Sequence, residues 1–161
     1  MNAIVTILVL NLLIWTVKNE RIMKTISCDM YKPSFTKVVS NSFCEINQIT
    51  VDGCDPNKTW CYIPRGTNAT IKVEFVPHFC SRHVSMDMHV QLGSNKFNIS
   101  KHIDNEACKF MTCPVESFIK NEYKYTDTIS RNLPKGMYLA LFVMREDINP
   151  KCCFGIKVGI N

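Results

Sequence analysis

Cysteine and histidine are the residues of this sequence with the chemistry to bind a metal or to attack a substrate. The 161-residue chain has nine cysteines and four histidines. The histidines are His78, His83, His89 and His102. They match no zinc-finger spacing, and no two cysteines are arranged as Cys-x-x-Cys. No cysteine–histidine spacing suggests an activated nucleophile. The pattern therefore predicts no metal site, no cofactor and no enzymatic activity.

Disulfide formation is the use that this cysteine content favours. Short, cysteine-rich chains are typical of oxidising compartments, where paired cysteines stabilise small domains. Two pairs are close in the sequence, and each would fix a loop between strands. These local pairs are Cys54 with Cys61 and Cys108 with Cys113.

A long-range disulfide would join the first strand of the domain to the last. Cys44 is the N-terminal partner, and either Cys152 or Cys153 is the C-terminal one. Cys28, Cys80 and one of the two adjacent cysteines then remain. Because nine is an odd number, at least one thiol is free or pairs with another chain.

The N-terminal residues 1–20 have the features of a secretory signal peptide, with an end between 16 and 27. Residues 28–161 would then form one domain. The leading apolar block is short for a membrane span, and an uncleaved anchor is the alternative. N-glycosylation sequons begin at Asn57, Asn68 and Asn98. Together with the cysteines, these features predict a secreted, extracellular glycoprotein, with the lysosomal lumen as the alternative location.

The formal charge of +5 comes from 19 basic and 14 acidic residues that are scattered along the chain. Nucleic-acid binding needs a stripe of Lys and Arg, which is missing, so nucleic acid is excluded as a partner. An anionic membrane surface is a candidate partner. Lys120, Lys124 and Arg145 are candidates for attracting an acidic head group, with solvated surface as the alternative.

Apolar and polar residues alternate along most of the chain, as they do in half-buried β-strands. The cleanest examples are Thr70–Phe75 and Val84–Leu92, and Gly93-Ser94-Asn95 turns the second into a return strand. Further strands are predicted at 46–50 (with Ile46, Gln48 and Thr50 alternating), 122–129, 137–144 and 154–160. No ten-residue window has a helical stripe. About seven short strands of this kind predict an all-β sandwich.

The inward faces of such a sandwich are the candidate binding surface. Two packed sheets lie about 10 Å apart and are normally filled by their own side chains. The predicted lining is Val73, Phe75, Met86, Met88, Val90, Tyr123, Tyr125, Tyr138, Phe142 and Met144. Methionine adapts to irregular shapes, and a tyrosine hydroxyl can meet a sterol hydroxyl or a head group. Periodicity alone favours ordinary core packing for these residues over a lipid chamber.

Several motifs occur in a fixed order over Cys44 to Ile160. The Cys54…Cys61 pair is followed by Tyr-Ile-Pro-Arg-Gly66. Next come Cys108-Lys-Phe-Met-Thr-Cys113-Pro114 and Tyr123-Lys-Tyr125, and the order ends with Val143-Met-Arg-Glu-Asp147 and Cys153. This order resembles the ML family of lipid-recognition domains related to myeloid-differentiation protein two. The soluble Niemann-Pick type C sterol carrier and the group-two mite allergens belong to that family.

The resemblance implies an immunoglobulin-like β-sandwich whose two sheets admit a sterol or acyl chains, without catalysis. Under it, Phe75, Val115, Tyr123 and Phe142 are the preferred ligand contacts. The stretch from Val115 to Asn121 is longer than is usual in the family. The resemblance therefore does not determine the shape of the pocket mouth.

The resemblance also implies a disulfide pattern. The implied pairs are Cys44–Cys153, Cys54–Cys61 and Cys108–Cys113. Cys153 is preferred to Cys152 because the apolar positions of the last strand fall at the expected offsets after it. A fourth bridge, from Cys28 to Cys80 or Cys152, is left unassigned.

The resulting hypothesis is a secreted, monomeric carrier that transports a sterol, a fatty acid or another lipid between its sheets. The alternative is an innate-immune module that presents a microbial lipid to a receptor, for which an exposed apolar rim is expected. A secreted enzyme using His83 and His89 is a third hypothesis, and no acid–base constellation supports it.

Overall fold

The computed structural model describes residues 43–54, 61–96 and 104–161, and the backbone alone of 20–22 and 97–98. These residues form nine β-strands and one turn of 3-10 helix, Ala107–Lys109. The strands are β1 (Glu20–Ile22), β2 (Cys44–Asp52), β3 (Tyr62–Ile63), β4 (Asn68–Pro77), β5 (Ser85–Leu92), β6 (Asn95–Asn98), β7 (Asn121–Thr128), β8 (Gly136–Glu146) and β9 (Asn149–Ile160). No helix among the described residues has the length and apolar character needed to cross a membrane.

The strands form two sheets that pack face to face. One sheet has the order β1-β2-β4-β7, and the other has the order β3-β9-β8-β5-β6. Neighbouring strands are antiparallel, except that β3 and β9 run parallel. The prediction of an all-β, immunoglobulin-like sandwich is confirmed.

Strand β4 and its neighbour β7 show how the alternation in the sequence builds the core. Ile71, Val73 and Phe75 of β4 are at most 7% exposed. In β7, Tyr125 pairs with Ile71 and Tyr123 pairs with Val73. Directly paired residues of adjacent strands project from the same face of a sheet. Both tyrosines therefore face the second sheet, as their spacing predicts.

Strand β2 departs from the predicted alternation. Its register with β4 shifts after Ile46, where an extra residue forms a bulge. An extra residue reverses which later side chains face inward. Ile49 and Val51, at 0% and 2% exposure, therefore take the core positions instead of Gln48 and Thr50.

The disulfide that joins the two sheets connects Cys44 to Cys152, which are 108 residues apart. Cys152 packs in the core between the sheets, with Phe154. Cys153 lies on the opposite face of β9, in a small cluster with Leu141. A cysteine of the facing sheet can reach only the inward-facing member of this pair. The implied pairing of Cys44 with Cys153 is therefore wrong.

The remaining cysteines follow the predictions in part. The two local pairs, Cys54–Cys61 and Cys108–Cys113, are disulfides. Cys153 is also disulfide-bonded, and its partner is none of the other described cysteines. Cys80 is free and exposed. Since Cys80 is free and Cys152 is bonded to Cys44, neither of the two cysteines proposed as partners of Cys28 forms that bridge. Cys28 itself lies outside the described residues.

Several predictions fall outside the described residues and stay predictions. They include the signal peptide up to residue 19, the sequon at Asn57 and the sequon at Asn98, of which only the Asn98 backbone is described. The third sequon begins at Asn68, the first residue of β4, which is exposed. The Thr128 hydroxyl donates a hydrogen bond of 2.7 Å to the Asn68 side-chain oxygen. Asn68 is thus on the surface, where glycosylation requires it to be.

Candidate functional site

The eleven side chains predicted to line the interior or to contact a lipid lie together in one apolar cluster. They are Val73, Phe75, Met86, Met88, Val90, Val115, Tyr123, Tyr125, Tyr138, Phe142 and Met144. Ten of them project inward from β4 and β7 of one sheet and from β5 and β8 of the other. The eleventh, Val115, comes from a loop. The structure thus brings all eleven to the same interior, and their contact with a ligand stays a prediction.

Val115 is held in place by backbone pairing at the end of the sandwich. Its carbonyl accepts a hydrogen bond of 3.0 Å from the Ser81 N–H, and its own N–H donates one of 2.7 Å to the Ser81 carbonyl. Val115 is 1% exposed. The loop after Cys113 therefore adds one apolar side chain to the end of the core.

The inward-facing side chains of β5 are buried to different extents along the strand. Met86 is 0% exposed, whereas Met88, Val90 and Leu92, on the same inward face, are only half-buried. A side chain that faces the opposite sheet and still has exposed surface indicates that the sheets do not seal over it. The interior is therefore accessible from the Leu92 end of β5.

The facing sheet shows the same gradient, and the topology explains it. In β7, Tyr123 is 1% exposed and Tyr125 is half-buried. β7 is the edge strand of its sheet, and only β6 lies beyond β5 in the other. On the other side of the sandwich, the Cys44–Cys152 disulfide links β2 to β9. One side is covalently closed, and the β5–β7 side is where the interior is accessible.

Aromatic rings form much of this interior. Phe110 contacts Tyr125 and Tyr123 edge-on, with ring centroids 5.0 and 6.1 Å apart. Phe142 and Phe154 stack with centroids 4.9 Å apart. Neither Phe110 nor Phe154 is among the lining residues predicted from the sequence. Phe110 lies in the loop closed by the Cys108–Cys113 disulfide, where no strand periodicity marks it. Phe154 could have been selected, because it alternates with the apolar residues of β9.

The lysines and the arginine considered for a head group project away from this interior. The Lys120 ammonium forms an ion pair of 2.5 Å with the Glu74 carboxylate. Glu74 faces outward, because its neighbours in β4 face inward. Lys124 is exposed and follows the inward-facing Tyr123 in β7. Arg145 pairs with Asp87 on the outer face of the five-stranded sheet. None of these three cations is placed to meet a ligand between the sheets.

The tyrosine hydroxyls in the interior are neutral. Burial is the main cause that raises the pKa of Tyr123 and of Tyr125 above the ordinary value. Burial also raises the pKa of Tyr138, whose hydroxyl donates a hydrogen bond of 2.7 Å to the Pro134 carbonyl. These hydroxyls can therefore act as hydrogen-bond donors over the physiological pH range.

A polar cleft of about 590 Å³ lies at the end of the sandwich, away from the accessible edge. It is lined by Cys80, Ser81, Arg82, His83, Pro114, Val115, Glu116, Glu146 and Asp147. Hydrogen bonds, first from Lys151 and then from Ser81, hold the pKa of the Glu146 carboxyl below its usual value. Only Val115 is shared with the apolar cluster, so this cleft and the interior are different sites.

Comparison with known proteins identifies a family with a similar sequence. A family model described as the ML domain matches residues 34–160. An MD-2-related lipid-recognition protein of Manduca sexta is 27% identical over 123 residues, which cover 75% of this chain and 79% of that protein. The mite group 2 allergen Der f 2 of Dermatophagoides farinae is 29% identical over 92 residues, 57% of this chain and 62% of the allergen.

A solved structure has the same architecture. A Niemann-Pick type C2 protein from Japanese carpenter ant aligns with a TM-score of 0.63 at 20% sequence identity. The alignment covers 74% of this chain and 94% of the ant protein. At this level of identity the likeness establishes a shared fold.

Proposed function

Since the chain belongs to the ML domain family, we propose that it binds a lipid between its two β-sheets. In this proposal it is a secreted carrier of a sterol or an acyl lipid. The similarity to a lipid-recognition protein of Manduca sexta supports the class of ligand. The role requires binding, orientation and exclusion of water, and no bond in the ligand is made or broken.

The observation that carries the proposal is the half-burial of Met88, Val90 and Leu92 on an inward face. In a sandwich filled by its own side chains, positions facing the other sheet are sealed from water. Here a row of apolar side chains leads from the accessible edge to the fully buried Met86. A lipid entering along this row would replace water on side chains that otherwise remain partly hydrated.

Burial of apolar surface supplies the affinity. A sterol that buries about 400–500 Å² of apolar surface gains about 10–12 kcal/mol before costs. Association removes several kcal/mol of that gain. After a cost of about 4 kcal/mol, the net gain of about 6–8 kcal/mol corresponds to dissociation constants of about 1–40 μM. An acyl chain must also lose rotational freedom, so it should gain less for each carbon that is buried.

The proposal is tested by filling the accessible interior. Val90→Trp adds a large ring on the inward face of β5, while Gln91→Trp adds the same ring one residue later, on the outward face. Displacement of a fluorescent sterol measures binding. We expect the Val90 variant to lose at least tenfold in affinity and the Gln91 variant to stay near the parent. Equal affinities for the two variants, or no displacement by any lipid, would contradict the proposal.

A second candidate function is an immune-type recognition module that presents a lipid to a receptor. It is favoured by exposed apolar side chains on two loops that border the polar cleft. Phe118 is 71% exposed on one loop, and Ile148 is 86% exposed on the other. Such a module should co-purify with a partner, and Phe118→Ser with Ile148→Ser should release that partner without changing lipid affinity. A carrier should show neither effect.

A further inference from the structure

Tyr123 has a polar group in the interior without a partner in the fold. The residue is 1% exposed, and its hydroxyl forms no hydrogen bond with any described residue. The oxygen keeps contact with accessible space, since it is not among the fully enclosed side-chain polar atoms that lack a partner. Tyr123 is therefore almost entirely buried, but its hydroxyl remains available to another molecule.

A second almost fully buried tyrosine of the interior, Tyr138, has a hydroxyl that is satisfied within the fold. The Tyr138 hydroxyl, also on an inward face, donates to the Pro134 carbonyl at 2.7 Å. A buried hydroxyl without a partner loses the hydrogen bonds it would make in water, and folded proteins rarely leave one so. The hydroxyl of Tyr138 is therefore satisfied by the protein itself, and the hydroxyl of Tyr123 is not.

The surroundings of Tyr123 are aromatic and aliphatic. Its ring meets Phe110 edge-on at 6.1 Å, stacks with Tyr125 at 6.4 Å, and lies beside Val73 on the neighbouring strand. After burial and the neighbouring Tyr125, the acidic Asp104 also raises the pKa of Tyr123, and Asp104 is itself paired with Lys109 at 2.7 Å. No described cation raises the acidity of the Tyr123 hydroxyl.

We propose that the Tyr123 hydroxyl donates a hydrogen bond to an uncharged oxygen of the bound lipid, such as a sterol or fatty-alcohol hydroxyl. This inference rests on the proposed lipid-binding function and narrows its ligand class. A carboxylate brought to the same place would lose its hydration without gaining a cation. Neutral lipids with one polar oxygen are therefore preferred to the corresponding fatty acids.

Matched ligands test the preference on the disulfide-bonded protein. One pair is cholesterol and its analogue without the 3-hydroxyl, and the other is oleyl alcohol and oleate at neutral pH. We expect the parent to bind the hydroxylated member of the sterol pair about tenfold more tightly, the factor that one ordinary hydrogen bond supplies. We also expect oleyl alcohol to bind at least tenfold more tightly than oleate.

Tyr123→Phe removes the hydroxyl and keeps the ring. In this variant the preference for cholesterol over its deoxy analogue should fall to about twofold or less, with the affinity for the analogue unchanged. Tyr138→Phe is the matched control, because it removes a hydroxyl that the protein itself satisfies, and its preference should remain. An unchanged preference in Tyr123→Phe, or oleate binding as tightly as oleyl alcohol, would overturn the inference while lipid binding stands. Failure of every lipid to bind the parent would instead overturn the proposed function and, with it, this inference.

Discussion

The disulfide between the sheets should stabilise this protein more than either local disulfide. The change is Cys44→Ser with Cys152→Ser, which opens a loop of 108 residues. In the chain-entropy account, closing a loop of that length contributes about 5 kcal/mol, whereas the seven-residue separation of Cys54 and Cys61 corresponds to about 2.4 kcal/mol. The first double variant should therefore lose about 2–3 kcal/mol more in free energy of unfolding than the matched Cys54→Ser, Cys61→Ser variant.

The assay is equilibrium urea unfolding without reductant, combined with peptide mapping of the parent disulfides. Mapping should join the Cys44 peptide to Cys152, because Cys152 faces the core and Cys153 faces away from it. Equal destabilisation of the two double variants would refute the argument from loop length. A bond from Cys44 to Cys153 would refute the argument from the alternation of β9.

Three further predictions concern pH and packing. Burial lowers the pKa of His89 below its ordinary value of 6.5, so the unfolded chain takes up a proton that the folded one resists. Stability should therefore fall as the pH drops through about 6.5, and His89→Gln should flatten that slope in thermal unfolding; an unchanged slope would contradict it. Glu146, with its pKa lowered chiefly by the Lys151 hydrogen bond, contributes stability that should be lost as the pH falls below about 4.5; Glu146→Gln should be less acid-sensitive over that range than the parent. In Gly159→Ala the new methyl group would clash with the Tyr62 ring. The substitution should cost about 1–3 kcal/mol in urea unfolding, with partial recovery when Tyr62 is also changed to Ala. A neutral single variant would show that the ring moves freely.

Most of the sandwich could be predicted because strands with one buried face show their period directly. The alternation of Val84–Leu92 predicts β5 to within one residue, and Thr70–Phe75 lies within the observed Asn68–Pro77. The inward direction of Tyr123 and Tyr125 also follows from spacing. These predictions depend only on local geometry, which the sequence determines.

The features that the sequence did not predict depend on contacts between residues that are distant in the chain. The bulge after Ile46 is set by how β2 pairs with β4, and no residue in the sequence marks the extra position. The choice of Cys152 over Cys153 follows from which face of β9 meets Cys44. Phe110 reaches the interior because a disulfide folds its loop against Tyr125, a contact that periodicity does not reveal.

Native mass spectrometry of the purified protein tests the central claim most directly. We expect a species with one lipid per chain that is displaced by added cholesterol and is strongly reduced in Val90→Trp. A spectrum that contains only the unliganded mass, even with cholesterol and oleyl alcohol in excess, would contradict a lipid-binding interior.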